Sequence, residues 1–394
     1  MKVVVVSDAH LFKSDDGRYW CNTAMHGQQF WKRYLMVFDE VEVIARVKNI
    51  TDDELKQNKY IPASGQNITV RALPFVRGMK AYIFNFFKFK KACKQASGDG
   101  DCAIFRLPSI PAYLVLNEYK KNKKPYAVEV VIDPEDEYAK IPLLKVLSVK
   151  LLQKVCRHAN GVSYVTQFYL QGKYPSRYRL GDRTGKYFES YYSSIDLKED
   201  FFYYDREYKY KKGEIHIVHI ANSINNENKG HRVLLKVVSE LKKRNVKAYV
   251  DFIGNGDLID TFTQMAKDLE IDDRVRFVGY VSSKEEIRQY LIDADMFVFP
   301  TRAEGLPRAL IEAMAIGLPC LSSNVDGIPE LLDSEYLFAP DDVQGYANKI
   351  FQLNNDAQEL ERMGKKNILK AEEYRSDKLM VRRNSFYNAL KNLV

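Results

Sequence analysis

Cysteine is scarce in this sequence, and the spacing of the cysteines argues against a zinc site and against a disulfide framework. The 394 residues include five cysteines, none in a C-x-x-C pair: Cys21, Cys93, Cys102, Cys156 and Cys320. A zinc site of the usual kind needs paired ligands, and an odd, scattered set favours reduced thiols over a disulfide framework. We therefore expect no metal site held by cysteines and a reducing, cytoplasmic environment.

Long hydrophobic runs are missing as well. No apolar run approaches the roughly 18 residues of a membrane-spanning helix. The first ten residues hold four consecutive valines before Ser7 and Asp8, too few for the core of a signal peptide. Repeats and low-complexity tracts are absent too. We expect a soluble protein, or one that binds a membrane only at its surface.

What is present is typical of a globular protein of more than one domain. The sequence is 46% hydrophobic and 28% charged, and 394 residues are too many for one ordinary core. The formal net charge of +8 favours acidic partners, namely sugar nucleotides, anionic lipid or nucleic acid. Charge alone does not choose among them.

The most informative stretch is residues 295–332. Its short apolar run, residues 296–299, is typical of a strand buried on both faces in a parallel sheet. Pro307 suits the first helical position, and Gly317 suits the end of that helix. The residues between them are apolar almost all round, which predicts a buried helix.

A carboxylate inside this helix, Glu312, needs a partner because burying an unpaired charge is costly. One candidate is Arg308, four residues earlier, in a helix pair worth about 0.3 kcal/mol. The other is a ribose, whose two adjacent hydroxyls can both donate to one carboxylate. The N–H groups of Gly305, Leu306 and Arg308 open the helix and suit a phosphate. The second alternative therefore describes a sugar nucleotide.

Glu304 and Glu312 stand eight residues apart in EGLPRALIEAMAIGLP, with GIPE following at residues 327–330. This pattern resembles the E-x7-E motif of the retaining GT-B glycosyltransferases of family 4, glycosyl transferase group 1. The resemblance is close over the second half and covers the first half in general layout. It implies an α/β GT-B fold, with two Rossmann-like domains facing across a cleft and a C-terminal helix crossing back to the first domain. It also implies a nucleoside-diphosphate sugar donor, UDP-sugar favoured, with neither metal nor cofactor.

The resemblance assigns roles to individual residues. Glu304 would orient hydroxyls of the donor sugar, Glu312 would hold the ribose, and Lys229 would contact the diphosphate. Asp133, in the acidic cluster after the predicted strand 126–132, takes the place where the family often has a histidine near the reacting sugar. The remaining donor-binding candidates are Gly305, Leu306, Pro307, Arg308, Asn222, Gly254, Asn255, Gly279, Tyr280 and Val281.

Two of these positions carry further expectations. The Gly254-Asn255-Gly256 turn at a strand end would let a ligand approach the backbone closely. Asn222 stands where the family commonly has an arginine that binds phosphate. Either Arg308 or a first-domain residue replaces that arginine, or donor binding is weak, or catalysis is lost. His219 and His231 are interpreted as structural, as is Asp293-Ala294-Asp295, which resembles a D-x-D metal motif.

Alternating strands and helices predict the domain organisation. In the first half, strands are predicted at residues 3–6, 41–47, 104–107 and 126–132, with a last strand at 161–167. Residues 12–22 are predicted as a loop. The aperiodic segment 201–212 is predicted as the linker, with the second fold beginning at Gly213. We assign residues 1–205 to acceptor binding, 206–377 to donor binding and 378–394 to the returning helix.

A basic and aromatic segment at residues 71–94 contains no acid. Tyr82, Phe86, Phe89 and Cys93 recur at helical spacing, so one face can be buried while lysines stay in water. The segment fits either an interfacial helix on anionic lipid or a core-packed helix with a basic outer face. A second predicted helix places Leu144, Leu147, Leu151 and Val155 on one face, as an ordinary amphipathic helix does.

The sequence therefore predicts a retaining glycosyltransferase of the hexosyltransferase type. Its acceptor would be a saccharide or a lipid-linked oligosaccharide in cell-surface polysaccharide biosynthesis. We expect it in the cytoplasm or peripherally at the inner membrane face, and not bound to nucleic acid. The alternative is a non-catalytic protein of GT-B fold that binds a nucleotide sugar or a partner.

Overall fold

The computed structural model describes residues 1–57, 60–97, 99–137, 141–208 and 214–394. The chain divides into two compact units. Unit 1 comprises Met1–Ser194 together with Met380–Val394, and unit 2 comprises Ile195–Leu379. Each unit is an α/β structure built on its own sheet.

Unit 1 contains a mostly parallel sheet. Its strands are β1 (Lys2–Lys13), β2 (Tyr19–Cys21), β3 (Glu40–Asn49), β4 (Ile61–Pro62), β5 (Ile68–Pro74), β6 (Cys102–Leu107), β7 (Tyr126–Val130), β8 (Gly161–Tyr164) and β9 (Phe188–Tyr191). The parallel order is β5-β3-β1-β6-β7-β8-β9, and β2 joins β1 and β4 in antiparallel pairs. The central strands are continuous apolar runs because both faces are covered.

The helices of unit 1 lie between these strands. They are α1 (Gln28–Leu35), α2 (Asp52–Gln57), α3 (Met79–Ala96), α4 (Ile110–Tyr119), α5 (Pro134–Glu137), α6 (Pro142–His158) and α7 (Tyr169–Lys173). Helices α3, α4 and α6 share one hydrophobic core, to which they contribute Phe89, Val115 and Leu152. None of the helices in the described part of the chain is long and apolar enough to cross a bilayer.

Strand β1 runs well past the predicted residues 3–6. Strand β6 pairs with β1 only over Val3–Val6, whereas β3 accompanies β1 as far as Lys13. Pairing with β3 is irregular between Val6 and His10 and resumes at His10–Lys13, which extends the strand beyond the run of valines. The loop prediction for residues 12–22 is also wrong, because β2 lies within it. A further strand, β9, follows β8, so residues 161–167 do not hold the last strand of this unit.

The predicted buried face of α6 is wrong except at Val155, which is buried as expected. The buried residues are Ser148, Leu152, Val155 and Cys156, which form a face rotated away from the predicted one. Leu147 and Leu151 remain 54% and 41% exposed. Both faces are apolar, so periodicity alone could not decide which one the core would use.

Helix α3 follows its prediction in part. Phe89 and Cys93 are fully buried as expected, but Phe86 is 40% exposed. Phe84 and Phe87 are 86% and 85% exposed. Aromatic side chains therefore lie on the outside of this helix as well as in the core.

Unit 2 contains a fully parallel sheet. Its strands are β10 (Glu214–Ser223), β11 (Lys247–Asn255), β12 (Val275–Gly279), β13 (Met296–Phe299), β14 (Cys320–Ser323) and β15 (Leu337–Phe338), in the order β12-β11-β10-β13-β14-β15. The helices are α8 (His231–Lys243), α9 (Ile259–Asp268), α10 (Lys284–Asp293), α11 (Arg308–Ala315), α12 (Val343–Leu353) and α13 (Ala357–Ala371). The predicted buried strand 296–299 and the helix after it are both confirmed.

The ends of α11 differ slightly from the prediction. Pro307 keeps an extended ψ of 113° and caps the helix, so Arg308 is the first helical residue. Gly317 follows the C-terminus with a φ of +69°, the left-handed conformation expected of a glycine at this place.

The segment before β10 is part of unit 2 and packs against its helices and loops. The Arg206 guanidinium donates hydrogen bonds to four carbonyl oxygens at 2.6–3.1 Å: those of Leu291, Ile292, Ala294 and Ile316. The Tyr208 hydroxyl donates to the Gly317 carbonyl at 2.7 Å. The first part of the predicted linker is thus tied down. Residues 209–212 and the predicted start at Gly213 lie outside the described residues.

The last helix, α14 (Ser376–Lys391), enters unit 1 at Met380. There the Tyr387 hydroxyl donates to the buried Glu129 carboxylate at 2.8 Å, as does Tyr192 at 3.0 Å. Burial by itself would raise the pKa of Glu129, but the ion pair with Arg106 and these hydrogen bonds hold it below its ordinary value. The charged Glu129 therefore anchors the end of the chain.

Candidate active site

The sheet of unit 2 has a point where the strand order reverses. Strands β11 and β12 lie beyond β10, while β14 and β15 lie beyond β13. In open parallel sheets, ligands bind in the crevice outside the carboxyl ends of the two strands at such a switch point. The segment after β10 carries Lys229, and the loop after β13 carries Glu304.

The structure brings these two predicted residues into direct contact. The Lys229 ammonium group forms an ion pair with the Glu304 carboxylate. The two side chains are 28% and 21% exposed, so both remain accessible from the crevice. A cation suited to phosphate oxygen thus lies beside a carboxylate suited to sugar hydroxyls.

Hydrogen bonds between the two loops fix this contact. The Thr301 hydroxyl and the Arg302 N–H donate to the Asn228 carbonyl at 2.9 and 2.7 Å. The Arg302 guanidinium donates to the Glu227 carbonyl at 2.8 Å. Sequence reasoning missed these supporting residues because a turn sequence does not show which distant loop it will meet.

Gly230 lets the two loops approach each other. Its φ is +78°, and a Cβ atom on this residue would lie 2.1 Å from the Pro300 carbonyl oxygen. That contact is impossible for any residue with a side chain. The Lys229-Gly230 pair therefore combines the candidate phosphate-binding cation with the residue that permits its placement.

Asp326 is a supporting residue that sequence reasoning also missed. Its carboxylate accepts a hydrogen bond from the Glu304 N–H at 2.8 Å, and its own φ is +50°. Aspartate tolerates this left-handed conformation better than most residues, and the adjacent Asp326-Gly327 turn is the available sequence signal. Asp326 fixes the backbone from which the Glu304 side chain projects.

Glu312 lies half-buried on α11. Burial raises the pKa of its carboxyl group, while the positive charges of Arg308 and Lys284 act in the opposite direction. Arg308 is thus close enough to influence Glu312, as the helix-pair alternative requires. Gly305, Leu306 and Pro307 are buried at the start of the same helix. Their contacts with a donor stay predictions.

The glycine turn after β11 is explained by chain packing. A Cβ atom on Gly254 would lie 1.8 Å from the Ala221 carbonyl oxygen, and one on Gly256 would lie 2.4 Å from Asn225 Oδ1. Both glycines therefore let β11 approach the end of β10. The role of Gly254 and Asn255 in ligand binding stays a prediction.

The other predicted donor residues lie at strand ends of the same sheet. Asn222 is exposed near the end of β10. Gly279 ends β12 with a φ of +90°, and a Cβ atom there would meet no protein atom within 4 Å. Tyr280 follows with 58% exposure, and Val281 is half-buried. These positions leave their surroundings open to a ligand.

Asp133 lies in unit 1, where it is fully buried. Its carboxylate accepts hydrogen bonds from Tyr174, Lys173, Tyr169 and the Glu135 N–H at 2.5–2.9 Å. Burial would raise its pKa, but Lys173 and the other donors hold the pKa below its ordinary value. Four donors are what a structural carboxylate would have, and a catalytic role for Asp133 stays a prediction.

Two buried histidines lie near Lys229. Ring nitrogen Nδ1 of His219 is 2.9 Å from the Val298 carbonyl oxygen, and the ring centroids of His219 and His231 are 4.6 Å apart. Burial lowers the pKa of His219 to about 4 and that of His231 to about 2. Both rings are neutral core residues. Asp295 is structural too, since its carboxylate accepts the His216 N–H at 2.8 Å.

This chain is similar to known proteins in sequence and in fold. Residues 205–370 match the family model described as glycosyl transferases group 1. Protein CapJ of Staphylococcus aureus is 29% identical over 350 residues, which cover 87% of this chain and 84% of that protein. The amylovoran biosynthesis glycosyltransferase AmsK of Erwinia amylovora is 36% identical over 137 residues, 32% of this chain and 33% of AmsK.

The fold comparison covers the whole chain. The crystal structure of Anabaena HepE in complex with UDP-glucose superposes with a TM-score of 0.67 and 14% identity, covering 100% of each chain. At that identity the likeness shows the fold alone, which is GT-B. The family match over residues 205–370 identifies the second half of this chain as a member of the glycosyl transferases group 1 family.

Proposed function

We propose that this protein transfers a sugar from a nucleoside-diphosphate sugar to a saccharide or lipid-linked oligosaccharide, as a retaining family 4 enzyme. The observation that carries the proposal is the Lys229–Glu304 ion pair at the switch point of unit 2. Glu312 lies eight residues further along, with the start of α11 between the two carboxylates. UDP-sugar is the favoured donor, and UDP-glucose bound to HepE supports that choice.

In this mechanism the chain acts mainly by placing charge. Lys229 would stabilise the departing diphosphate, and Glu304 would orient hydroxyls of the donor sugar. The bond from the anomeric carbon to the diphosphate breaks as the acceptor oxygen bonds to that carbon on the same face. The acceptor proton passes to the leaving phosphate oxygen. A preorganised cation that meets developing charge is commonly the largest contribution to such catalysis.

Lys229 supplies the positive charge that a divalent metal supplies at other diphosphate sites. We therefore propose that turnover needs no metal ion. Arg308, half-buried at the start of α11, is the candidate to replace the arginine that Asn222 does not provide. We also propose that the protein acts in cell-surface polysaccharide biosynthesis. The name of AmsK, an amylovoran biosynthesis glycosyltransferase, supports this proposal.

We also propose that unit 1 binds the inner face of an anionic membrane. Helices α3 and α6 contain no aspartate or glutamate. Exposed apolar side chains lie on both: Ile83, Phe84, Phe86 and Phe87 on α3, and Leu143, Val146, Leu147 and Leu151 on α6. Lysines on the same helices would meet lipid phosphates while these side chains enter the interface. All five cysteines are free, which agrees with a cytoplasmic location.

The donor proposal is tested by incubating the protein with UDP- and GDP-sugars and measuring release of the free nucleotide. We expect slow hydrolysis of one donor, unchanged by EDTA and at least a hundredfold slower in Glu304→Ala. Lys366→Ala, which removes an exposed lysine paired with Asp333 in the same unit, is the control and should hydrolyse normally. Binding of a donor without hydrolysis or transfer would favour the non-catalytic alternative, which Asn222 motivates.

A further inference from the structure

Unit 1 contains a buried polar cluster around Glu129 that the proposed reaction does not use. Oxygen Oε2 of this carboxylate accepts from Arg106 and, at 3.1 Å, from the Tyr34 hydroxyl. Oxygen Oε1 accepts from the hydroxyls of Tyr192 and Tyr387, at 3.0 and 2.8 Å. A carboxylate offers about four acceptor sites, so all of them are taken. Glu129 therefore has no acceptor site left for a second arginine.

Two further arginines lie near this cluster, and neither forms an ion pair within the described part of the chain. Arg33 is half-buried on α1, and Arg383 is only 9% exposed on α14. The Nε atom of each is buried and has no hydrogen-bond partner there. Buried polar groups are nearly always hydrogen-bonded, and an unpaired buried charge is costly. Both guanidinium groups therefore need a partner that the described residues do not supply.

The packing of α1 against α14 brings these two arginines together. The Tyr34 and Tyr387 rings stack with their centroids 4.9 Å apart. Arg33 directly precedes Tyr34, and Arg383 lies one helical turn before Tyr387 on the same face of α14. Burial lowers the pKa of the Arg33 guanidinium group, and the positive charge of Arg383 lowers it further. The two like charges are therefore close enough to repel each other.

Arg106 adds a third guanidinium group. The guanidinium carbon atoms of Arg33 and Arg106 lie 3.8 and 4.7 Å from the centroid of the Phe30 ring, so they are separated by no more than the sum of these distances. Both arginines line one small cavity, together with Ser163 and Ser194. Its volume of about 10 Å³ is roughly that of one water-sized probe. The cavity can therefore admit one oxygen of an anion but not a sugar ring.

We propose that Arg33, Arg106 and Arg383 form a phosphate-binding site within unit 1. Three guanidinium groups and the Glu129 carboxylate leave an excess of two positive charges. Inorganic phosphate or a phosphate monoester carries about two negative charges at pH 7 and neutralises this excess, whereas a carboxylate supplies only one. Phosphate oxygens also match the donor geometry of arginine. The bound anion would tie α1 and α14 to β6, and it does not depend on the proposed transferase function.

The test measures the Tm of the full chain at pH 7.5 in sodium phosphate, sodium acetate and sodium chloride at equal ionic strength. Phosphate at 10 mM should raise the Tm by about 3 °C or more above either other salt, because a ligand that binds only the folded state stabilises it. Arg33→Gln and Arg383→Gln should each lose at least four-fifths of this shift. Arg383→Gln keeps the test valid if Arg33→Gln does not fold.

Two control variants locate the site. Arg71→Gln removes an arginine of the same unit that is already paired, with Glu42 and Asp99, and should keep the full shift. Lys229→Ala removes the cation of the candidate donor site and should keep the shift as well. A loss in Lys229→Ala as large as that in the arginine variants would place the phosphate in unit 2 and overturn the proposal.

Two other results would also overturn the site: equal shifts in wild type and both arginine variants, or no shift from phosphate beyond that from acetate. Isothermal titration calorimetry with inorganic phosphate and with glycerol 3-phosphate then identifies the source of the anion. At least tenfold tighter binding of glycerol 3-phosphate would support a site for a phosphate monoester. Equal or tighter binding of inorganic phosphate would support a site for free phosphate.

Discussion

The ammonium group of Lys229 and the carboxylate of Glu304 form an ion pair across the switch point of unit 2, although 75 residues separate them in sequence. The pairing is held by the backbone as well as by charge, because the Arg302 N–H donates to the Asn228 carbonyl at 2.7 Å. The two side chains should therefore act together on the donor.

The first prediction is that Lys229→Ala and Glu304→Ala are not additive. Each substitution should slow donor hydrolysis at least a hundredfold. The loss of rate in the double variant should be much smaller than the product of the two single losses. Each should change the free energy of unfolding by about 1 kcal/mol or less, because the pair is partly exposed. Hydrolysis rates and urea titrations measure both quantities. Fully multiplicative rate losses would show that the two residues act independently.

The second prediction concerns Gly230→Ala. A methyl group there would meet the Pro300 carbonyl at 2.1 Å, so the loop that carries Lys229 must move. We expect a loss of stability well above the roughly 1–2 kcal/mol of left-handed backbone strain alone, together with at least tenfold weaker UDP binding. Gly185→Ala is the control, because its φ of +79° is nearly the same and a Cβ there meets no protein atom within 4 Å. Equal stability losses in both variants would contradict the proposed close approach.

The third prediction concerns Glu312. Because burial raises its pKa in the folded state, the native protein binds this proton more tightly than the unfolded chain does. The contribution of Glu312 to stability is therefore greatest below its ordinary pKa of 4.5 and is lost as pH rises through the raised value. Glu312→Gln should be more stable than wild type at pH 7.5, and this advantage should shrink as pH falls toward 4.5. Urea titrations across that range measure it.

The same substitution should weaken UDP binding about 10- to 100-fold if Glu312 accepts the ribose hydroxyls, since hydrogen bonds to a charged group contribute about 1.5–3 kcal/mol. Isothermal titration calorimetry with UDP measures this change. Glu361→Gln, an exposed glutamate on α13, is the control and should leave the affinity unchanged. Unaltered UDP affinity in Glu312→Gln would leave Arg308 as the partner of Glu312.

The fourth prediction concerns the membrane surface of α3. Wild type should co-sediment with vesicles of phosphatidylglycerol and phosphatidylcholine, and binding should weaken as salt is raised. Exchange of Lys88, Lys90 and Lys91 for glutamate should abolish binding, and Phe84→Ser with Phe87→Ser should weaken it at least tenfold. Exchange of Lys242, Lys243 and Lys247 in unit 2 for glutamate is the charge-matched control. Wild-type binding by the α3 variants would refute the membrane proposal.

The fifth prediction concerns Arg206. Its guanidinium donates to four carbonyl oxygens, and lysine cannot reproduce that planar arrangement. Arg206→Lys should lower the free energy of unfolding by about 2–4 kcal/mol, because several carbonyls lose a charged donor. Arg276→Lys, at an exposed arginine paired with Asp251, should cost about 1 kcal/mol or less. Urea denaturation followed by circular dichroism separates the two.

Much of the fold could be predicted from local patterns. The valines of β1, the apolar run at Met296–Phe299 and the buried helix after Pro307 are all confirmed, because burial on both faces leaves an unmistakable apolar run. Glu312 was singled out as a carboxylate inside an apolar helix, whereas Lys229 was singled out through the resemblance to family 4. Exact strand ends could not be predicted, because the length of β1 depends on its pairing with β3.

The sequence by itself determined the α/β class, the resemblance to the group 1 glycosyl transferases and the chemical types at the candidate site. Tertiary structure decided which of those residues meet. It paired Lys229 with Glu304, placed Asp326 behind them and left Phe84 and Phe87 in solvent rather than in the core. The physical reason is that periodicity and motifs report the neighbours of a residue along the chain, whereas contacts between loops depend on the order in which strands assemble into a sheet.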